Sequence, residues 1–316
     1  MNEFSIVIII IMAFLLTGSI LQATYFKGKR REIKPYGQLV EIKDGQMHIH
    51  AVGSGVKTIV LLPGMGIPFP AADFGPLMRR LGEEYTVVCV EYFGVGLSSV
   101  TKTARTAENY VEEIREALDQ VGFKPPYVLM PHSISSVFSE YYASRYPEEI
   151  EAVISLDGTT SAHYEAMPDF VGKILKAAKF QQALGFSSVL SHLTVKRKDL
   201  RKKGYTDEEI SDQVVMAGFN INSTLLEQIV NSAEFVRHIM ELPYPESVPF
   251  FKIISKDTYE KPNKQLKSMT PQEYQHNHLD RIGKHAEYKI LEGSHFIYHD
   301  NADEILSITE SVLKKS

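Results

Sequence analysis

Apolar residues fill this chain in blocks whose spacing changes along its length. The first block, Phe4 to Leu21, is almost uninterrupted. As a helix rising about 1.5 Å per residue, it nearly spans a hydrocarbon layer of roughly 30 Å. Leu39 to Ile42 and Met47 to Val52 follow as strand-like runs, with Asp44-Gly45, a hairpin signal, between them. Thr58 to Leu62 is apolar without alternation, which suits a strand buried on both faces. Tyr85 to Val90, Tyr127 to Met130, Ala152 to Leu156, Val248 to Ser255 and Glu287 to Leu291 are further strand-like runs. Helical patterns separate them. In Thr106 to Val121, the residues Val111, Ile114, Leu118 and Val121 form one apolar stripe, and Gly122 supplies a left-handed cap. Ser135 to Tyr146 stops at Pro147, and Ala302 to Leu313 closes the chain.

Strands alternating with helices predict an α/β fold: a mostly parallel sheet covered on both faces, with the leading hairpin making one edge antiparallel. Ligands of such sheets bind beyond the carboxyl ends of the strands. Between Thr159 and Tyr244 the alternation gives way to helices alone. Thr206-Asp207-Glu208-Glu209 and Thr224-Leu225-Leu226-Glu227 both fit a capping box there. The pattern divides the chain into an apolar anchor (1–25), a basic linker (26–37), a core in two parts (38–158 and 246–316) and an all-helical lid (159–245).

The flanks of the first block assign it a role. Met1-Asn2-Glu3 lacks the basic residue expected before a cleaved signal, and Gln22-Ala23-Thr24 is a poor cleavage site. A retained anchor is therefore expected, with the lipid bilayer as a partner. Lys27, Lys29, Arg30, Arg31 and Lys34 follow it, and basic flanks stay on the cytoplasmic side, so a single-pass protein with a cytoplasmic globular domain is predicted. The 316 residues, 44% hydrophobic, suffice for a sizeable core. A net charge of -5 gives no reason to expect a nucleic-acid partner. Cys89, the one cysteine, lies in an apolar run and reads as core.

The candidate chemistry sits at strand ends. Ser133 lies in Pro131-His132-Ser133-Ile134-Ser135, between a strand and a helix, where a sharp turn would present its hydroxyl to a base. Pro131 and Ser135 occupy the glycine positions of the ideal G-x-S-x-G elbow. With this motif stand Leu61-Leu62-Pro63-Gly64-Met65-Gly66, Glu91-Tyr92-Phe93-Gly94-Val95-Gly96-Leu97-Ser98, Ile254-Ser255-Lys256-Asp257 and Leu291-Glu292-Gly293-Ser294-His295-Phe296. In this order, over roughly Gly45 to Val312, they resemble the alpha/beta-hydrolase superfamily, of the lid-bearing esterase and aminopeptidase type. The resemblance implies Ser133 as nucleophile, His295 as base, and an oxyanion hole from the backbone N–H groups of Met65 and Ile134. It implies Asp257 as the acid, because the family most often carries it after that strand and Thr258 to Pro262 read as a loop. Asp157 also ends a strand and is the competing acid, read as part of the pocket floor.

The expected activity is cofactor-free hydrolysis of an ester-like or amide-like acyl bond in a small-molecule substrate, with a carboxylic ester preferred. The alternatives are an aminopeptidase, which needs lid carboxylates such as Glu165 or Asp169, and a non-catalytic binding protein. Phe170, Val171, Ile174, Leu175, Phe180, Leu184, Phe186 and Leu190 read as lid core or acyl pocket. The His132 side chain should point away from the nucleophile. His299 and Asp300 read as surface residues, and His276 and His278 as solvated. His48 and His50 share a strand face without an evident third ligand, so no metal is expected.

Overall fold

The structure is a computed structural model that describes residues 2–163, 170–266 and 269–315. Eight strands form one sheet: β1 (Gln38–Ile42), β2 (Gly45–Val52), β3 (Thr58–Leu62), β4 (Thr86–Glu91), β5 (Tyr127–Pro131), β6 (Ile150–Leu156), β7 (Phe250–Ser255) and β8 (Ala286–Leu291). Their order is β1-β2-β4-β3-β5-β6-β7-β8. β1 and β2 are antiparallel to each other, β2 is antiparallel to β4, and the remaining pairs are parallel. The strands read from the sequence are therefore present, with ends shifted by one or two residues.

The helices are α1 (Glu3–Leu21), α2 (Lys27–Glu32), α3 (Pro70–Asp73), α4 (Gly75–Leu81), α5 (Ala107–Gln120), α6 (Ser135–Arg145), α7 (Phe170–Ala183), α8 (Phe186–Thr194), α9 (Arg197–Lys202), α10 (Asp207–Ala217), α11 (Ser223–Met240), α12 (Lys256–Glu260), α13 (Pro271–Ile282) and α14 (Ala302–Lys315). One sheet face is sealed by α5 and α6, whose Tyr110, Ile114, Phe138 and Tyr142 are fully buried. The other is sealed by α4 and α14 through Leu77, Leu81, Ile305 and Ile308. Cys89 is buried in this second layer, and burial pushes its thiol well up.

Between β6 and β7, α7 to α11 form the helical insertion. The Thr206–Glu209 capping box opens α10 as the sequence suggests. The second box does not form. Asn222 caps α11, Thr224 pairs with the backbone of Thr101, and Glu227 accepts the N–H of Arg105. Contacts between the insertion and the core have taken over those polar groups.

At the N-terminus, α1, a π-helical turn (Gln22–Phe26) and α2 form one continuous helix of 30 residues, within which an 18-residue stretch has a mean hydropathy of 2.7. It is long and apolar enough to cross a membrane. Its distal part is exposed, but Gln22 and Phe26 are buried against the insertion.

Candidate functional site

The site starts at the turn after β5. The Ser133 backbone N–H donates to the Leu156 carbonyl at 3.2 Å, which sets the turn against the end of β6. Ser133 then takes φ = 54°, a left-handed conformation that a non-glycine residue adopts at a cost of about 1–3 kcal/mol. This turn lifts Oγ off the backbone before α6 begins. Gly64 has to be glycine here: an added Cβ would stand 2.5 Å from His132 Nδ1 and 3.1 Å from Ser133 Cβ.

Neither departure from the elbow motif disrupts the turn. Pro131 is the last residue of β5, a strand end that tolerates it. Ser135 donates its hydroxyl to the Pro63 carbonyl and lies 2.8 Å from the Tyr92 hydroxyl. It thus ties the elbow to the loop that carries Met65. The backbone N–H groups of Met65 and Ile134 donate to no other described residue.

His295, in the loop after β8, places Nε2 2.9 Å from Ser133 Oγ and Nδ1 2.7 Å from Asp157 Oδ2. A carboxylate accepts only, so Nδ1 carries the proton and Nε2 is left to accept from the serine hydroxyl. Asp157 is the residue immediately after β6, is buried, and has φ = 46°. Its carboxylate accepts the Ser255 N–H at 2.7 Å and the Ser255 hydroxyl at 3.1 Å, and the Thr258 hydroxyl lies 2.7 Å from both its oxygens. These donors replace water around a buried charge and fix its orientation.

The acid expected at Asp257 is corrected by this geometry. The segment after β7 is a helix, not a loop. Ser255 caps α12 by accepting the Thr258 N–H, and Asp257 falls in its first turn. There its carboxylate faces outward and pairs with Lys261 at 2.7 Å, four residues on. The end of β7 supplies Ser255 and Thr258 as donors to Asp157 and supplies no acid to His295.

A model of the alpha/beta hydrolase fold matches residues 57–201. YbdG of Bacillus subtilis is 28% identical over 298 residues, covering 93% of this chain and 88% of that protein. The solved enol-lactonase from Burkholderia xenovorans superposes with a TM-score of 0.61 at 15% identity, covering 88% of this chain and 100% of its own. The carboxylesterase CesB from Bacillus subtilis gives 0.59 at 14% identity, covering 95% and 99%. The chain has the alpha/beta-hydrolase fold.

Within that fold, His132 turns to the histidine loop. Its ring packs on the His295 ring, with centroids 4.7 Å apart, and its Nε2–H donates to the His295 carbonyl at 3.0 Å. Burial, then the neighbouring His295, pull its pKa down to about 3. It is a neutral support for the histidine loop. His299 is also largely buried, with Nε2 3.3 Å from Asp73 Oδ1, whereas Asp300 pairs with Lys203 on the exterior. Glu91 accepts the N–H groups of Ala71 and Leu97 and pairs with His48 at 3.0 Å, so it holds its own turn.

His278, expected in solvent, is fully buried. Lys252 Nζ donates to its Nδ1 at 2.7 Å, and its Nε2–H donates to Glu140 at 2.7 Å. Burial and then the Lys252 charge pull His278 down to about 4, against the Glu140 charge. Burial likewise draws Lys252 down to about 7, against Asp157 and Glu140, which raise it. The polar sequence of α13 hid this: one face of the helix, with Gln275, His278, Leu279 and Ile282, is buried, and the partners of His278 come from β7 and α6.

A pH dependence of stability follows. His132 and His278 are neutral when folded at values where an unfolded histidine, near 6.5, is charged. The unfolded chain binds more protons between that value and the folded ones. The stability these residues contribute is therefore complete above about pH 6.5 and falls as pH drops towards about 4. Denaturant titrations should show a loss approaching about 1.4 kcal/mol per pH unit for each histidine. A flat profile across this window would show that the two rings are not held neutral.

Proposed function

We propose that the protein is a serine hydrolase acting on an ester-like or amide-like acyl bond, with a carboxylic ester the best fit. The hydrogen-bonded line Ser133–His295–Asp157 carries the reading. Ser133 Oγ attacks the acyl carbonyl carbon while His295 Nε2 takes its proton. Asp157 stabilises the imidazolium, and the Met65 and Ile134 N–H groups receive the oxyanion. His295 returns the proton to the leaving group, and an acyl-serine remains. Water then loses a proton to His295 and attacks the acyl carbon. The acid departs, and the proton goes back to Ser133. The names of the two solved neighbours, a carboxylesterase and an enol-lactonase, lend support to ester-type chemistry on this fold.

The insertion of α7 to α11 acts as the lid in this reading. Asn220 donates to the Gly66 carbonyl, beside Met65, and Asn222 donates to the Gly94 carbonyl, both at 2.6 Å. Glu165 and Asp169, the carboxylates an aminopeptidase would use, lie outside the described residues. The N-terminal helix acts as a retained anchor, with the hydrolase domain on the cytoplasmic side. Burial of Gln22 and Phe26 in the folded domain favours retention over cleavage near Ala23.

A fluorophosphonate titration of the full chain in detergent, against a series of acyl esters, tests the chemistry. One equivalent of bound probe should abolish turnover. Turnover that persists after complete labelling would exclude Ser133 as the nucleophile, and absence of both labelling and turnover would favour a binding protein.

A further inference from the structure

Helix α8 is turned inside out for a protein in water. Phe186, Val189, Leu190 and Leu193 fall at i, i+3, i+4 and i+7, the spacing of a core-facing stripe, yet all four are exposed. Its serines face the protein instead. Ser188 is buried and donates to Gln22 at 2.7 Å, and Ser191 donates to the Val214 carbonyl at 2.9 Å. On α7, Ile174 and Phe180 are exposed too. The acyl-pocket and lid-core readings of these side chains therefore fail.

The position of this stripe says what covers it. The Phe186 ring lies 6.0 Å from that of Phe14, inside the apolar run of α1. The turn joining α7 to α8 meets α1 at Gly18, where an added Cβ would come within 2.4 Å of the Leu184 carbonyl. Gln22 locks the contact, donating to the Gly218 carbonyl at 3.0 Å while accepting from Ser188. At about 1.5 Å per residue, Gly18 and Phe14 stand roughly 5 and 10 Å before the end of α1 at Leu21. This is the depth, about 5–10 Å, to which interfacial helices bury their apolar faces. Lys27, Lys29, Arg30 and Arg31 follow the end of α1, and the exposed Lys196 and Lys198 follow α8, so cations stand past the C-terminal ends of both helices, where anionic headgroups would lie.

We propose that α7 and α8 dock into the bilayer beside α1, with the α8 stripe among the acyl chains and the basic residues at the headgroups. The proposal rests on reading α1 as a membrane anchor. It deepens the functional reading, because the docked pair is linked to the site. Gln182 of α7 brackets Ile221, donating to its carbonyl at 2.9 Å and accepting its N–H at 2.8 Å, next to the Asn220 that holds Gly66. A site reached from the membrane side takes acyl substrates dissolved in the bilayer.

The chain has no tryptophan, so an introduced one is its sole indole reporter. Full-length Leu193→Trp, Phe180→Trp, Ile10→Trp and Val56→Trp are reconstituted into phosphatidylcholine–phosphatidylglycerol vesicles, with and without brominated acyl chains. All four positions are exposed, so circular dichroism should match the parent. Leu193→Trp and Phe180→Trp should lose most of their emission to bromine, as Ile10→Trp in the anchor does, while Val56→Trp, in the connection between β2 and β3 at the amino end of β3, keeps its emission. Quenching at Ile10 alone would overturn the docking and leave the anchor standing. Blue-shifted but unquenched emission at Leu193 would assign the stripe to a second copy of the chain and also overturn it. No quenching at Ile10 would remove the anchor, and the docking with it.

Discussion

Ser133→Ala is expected to lower turnover of an acyl ester by about 10⁶-fold, with the protein folded and fluorophosphonate labelling abolished. The size follows from the geometry. His295 Nε2 has one described acceptor relationship of consequence, the Ser133 hydroxyl at 2.9 Å, and the elbow holds that oxygen in the strained turn at φ = 54°. Alanine keeps the Cβ and the backbone, so β5, α6 and the Met65 and Ile134 N–H groups stay in place. What remains is transition-state binding without covalent chemistry, worth about 10³–10⁴ over water in a comparable enzyme. Retention of more than a hundredth of parental turnover, or continued labelling of the alanine variant, would show that the nucleophile is elsewhere.

Asp157→Asn should reduce turnover by about 10⁴-fold, while Asp257→Asn should leave it within a few-fold of the parent. An asparagine at 157 keeps the shape of the side chain and loses its charge. Its amide cannot both accept from His295 Nδ1–H and accept from Ser255 and Thr258, which now satisfy the carboxylate. The imidazole is then poorly held, and its charged form unsupported. Two controls separate catalysis from folding: the unfolding midpoint of Asp157→Asn, and its rate of fluorophosphonate labelling, which should fall along with turnover. Asp257 contacts Lys261 on the exterior, a half-exposed pair of the kind worth about 0–1 kcal/mol. A nearly inactive, folded Asp257→Asn beside an active Asp157→Asn would reverse the assignment.

Much of this arrangement is local and so is legible in one dimension. Thr58–Leu62 and Tyr127–Pro131 are apolar without alternation because both faces of each strand are covered, and the covering helices leave their own period in Val111, Ile114 and Leu118. Ser133 stands out because it follows such a strand, and His295 because it follows the carboxyl end of β8. The uninterrupted block of α1 is equally plain, since length and apolarity are properties of the segment alone.

The choice between Asp157 and Asp257 is of another kind. Both follow a strand, and their neighbours in the chain differ little. The decision lies in the parallel register that sets Leu156 beside the elbow and in the Ser255-capped turn of α12 that swings Asp257 outward. His278 looked solvated because its sequence neighbours are polar, but Lys252 and Glu140, distant in sequence, enclose it. Phe186 and Leu190 of α8 read as lid core or acyl pocket, because a period of 3.6 tells that a helix has an apolar face and not which way it looks. The hydrophobic pattern and the succession of strands and helices along the chain were thus determined by the sequence itself, through interactions between near neighbours. The carboxylate that meets His295, the buried histidines and the outward face of α8 were decided by contacts between segments far apart in the chain, which exist only once the sheet is assembled.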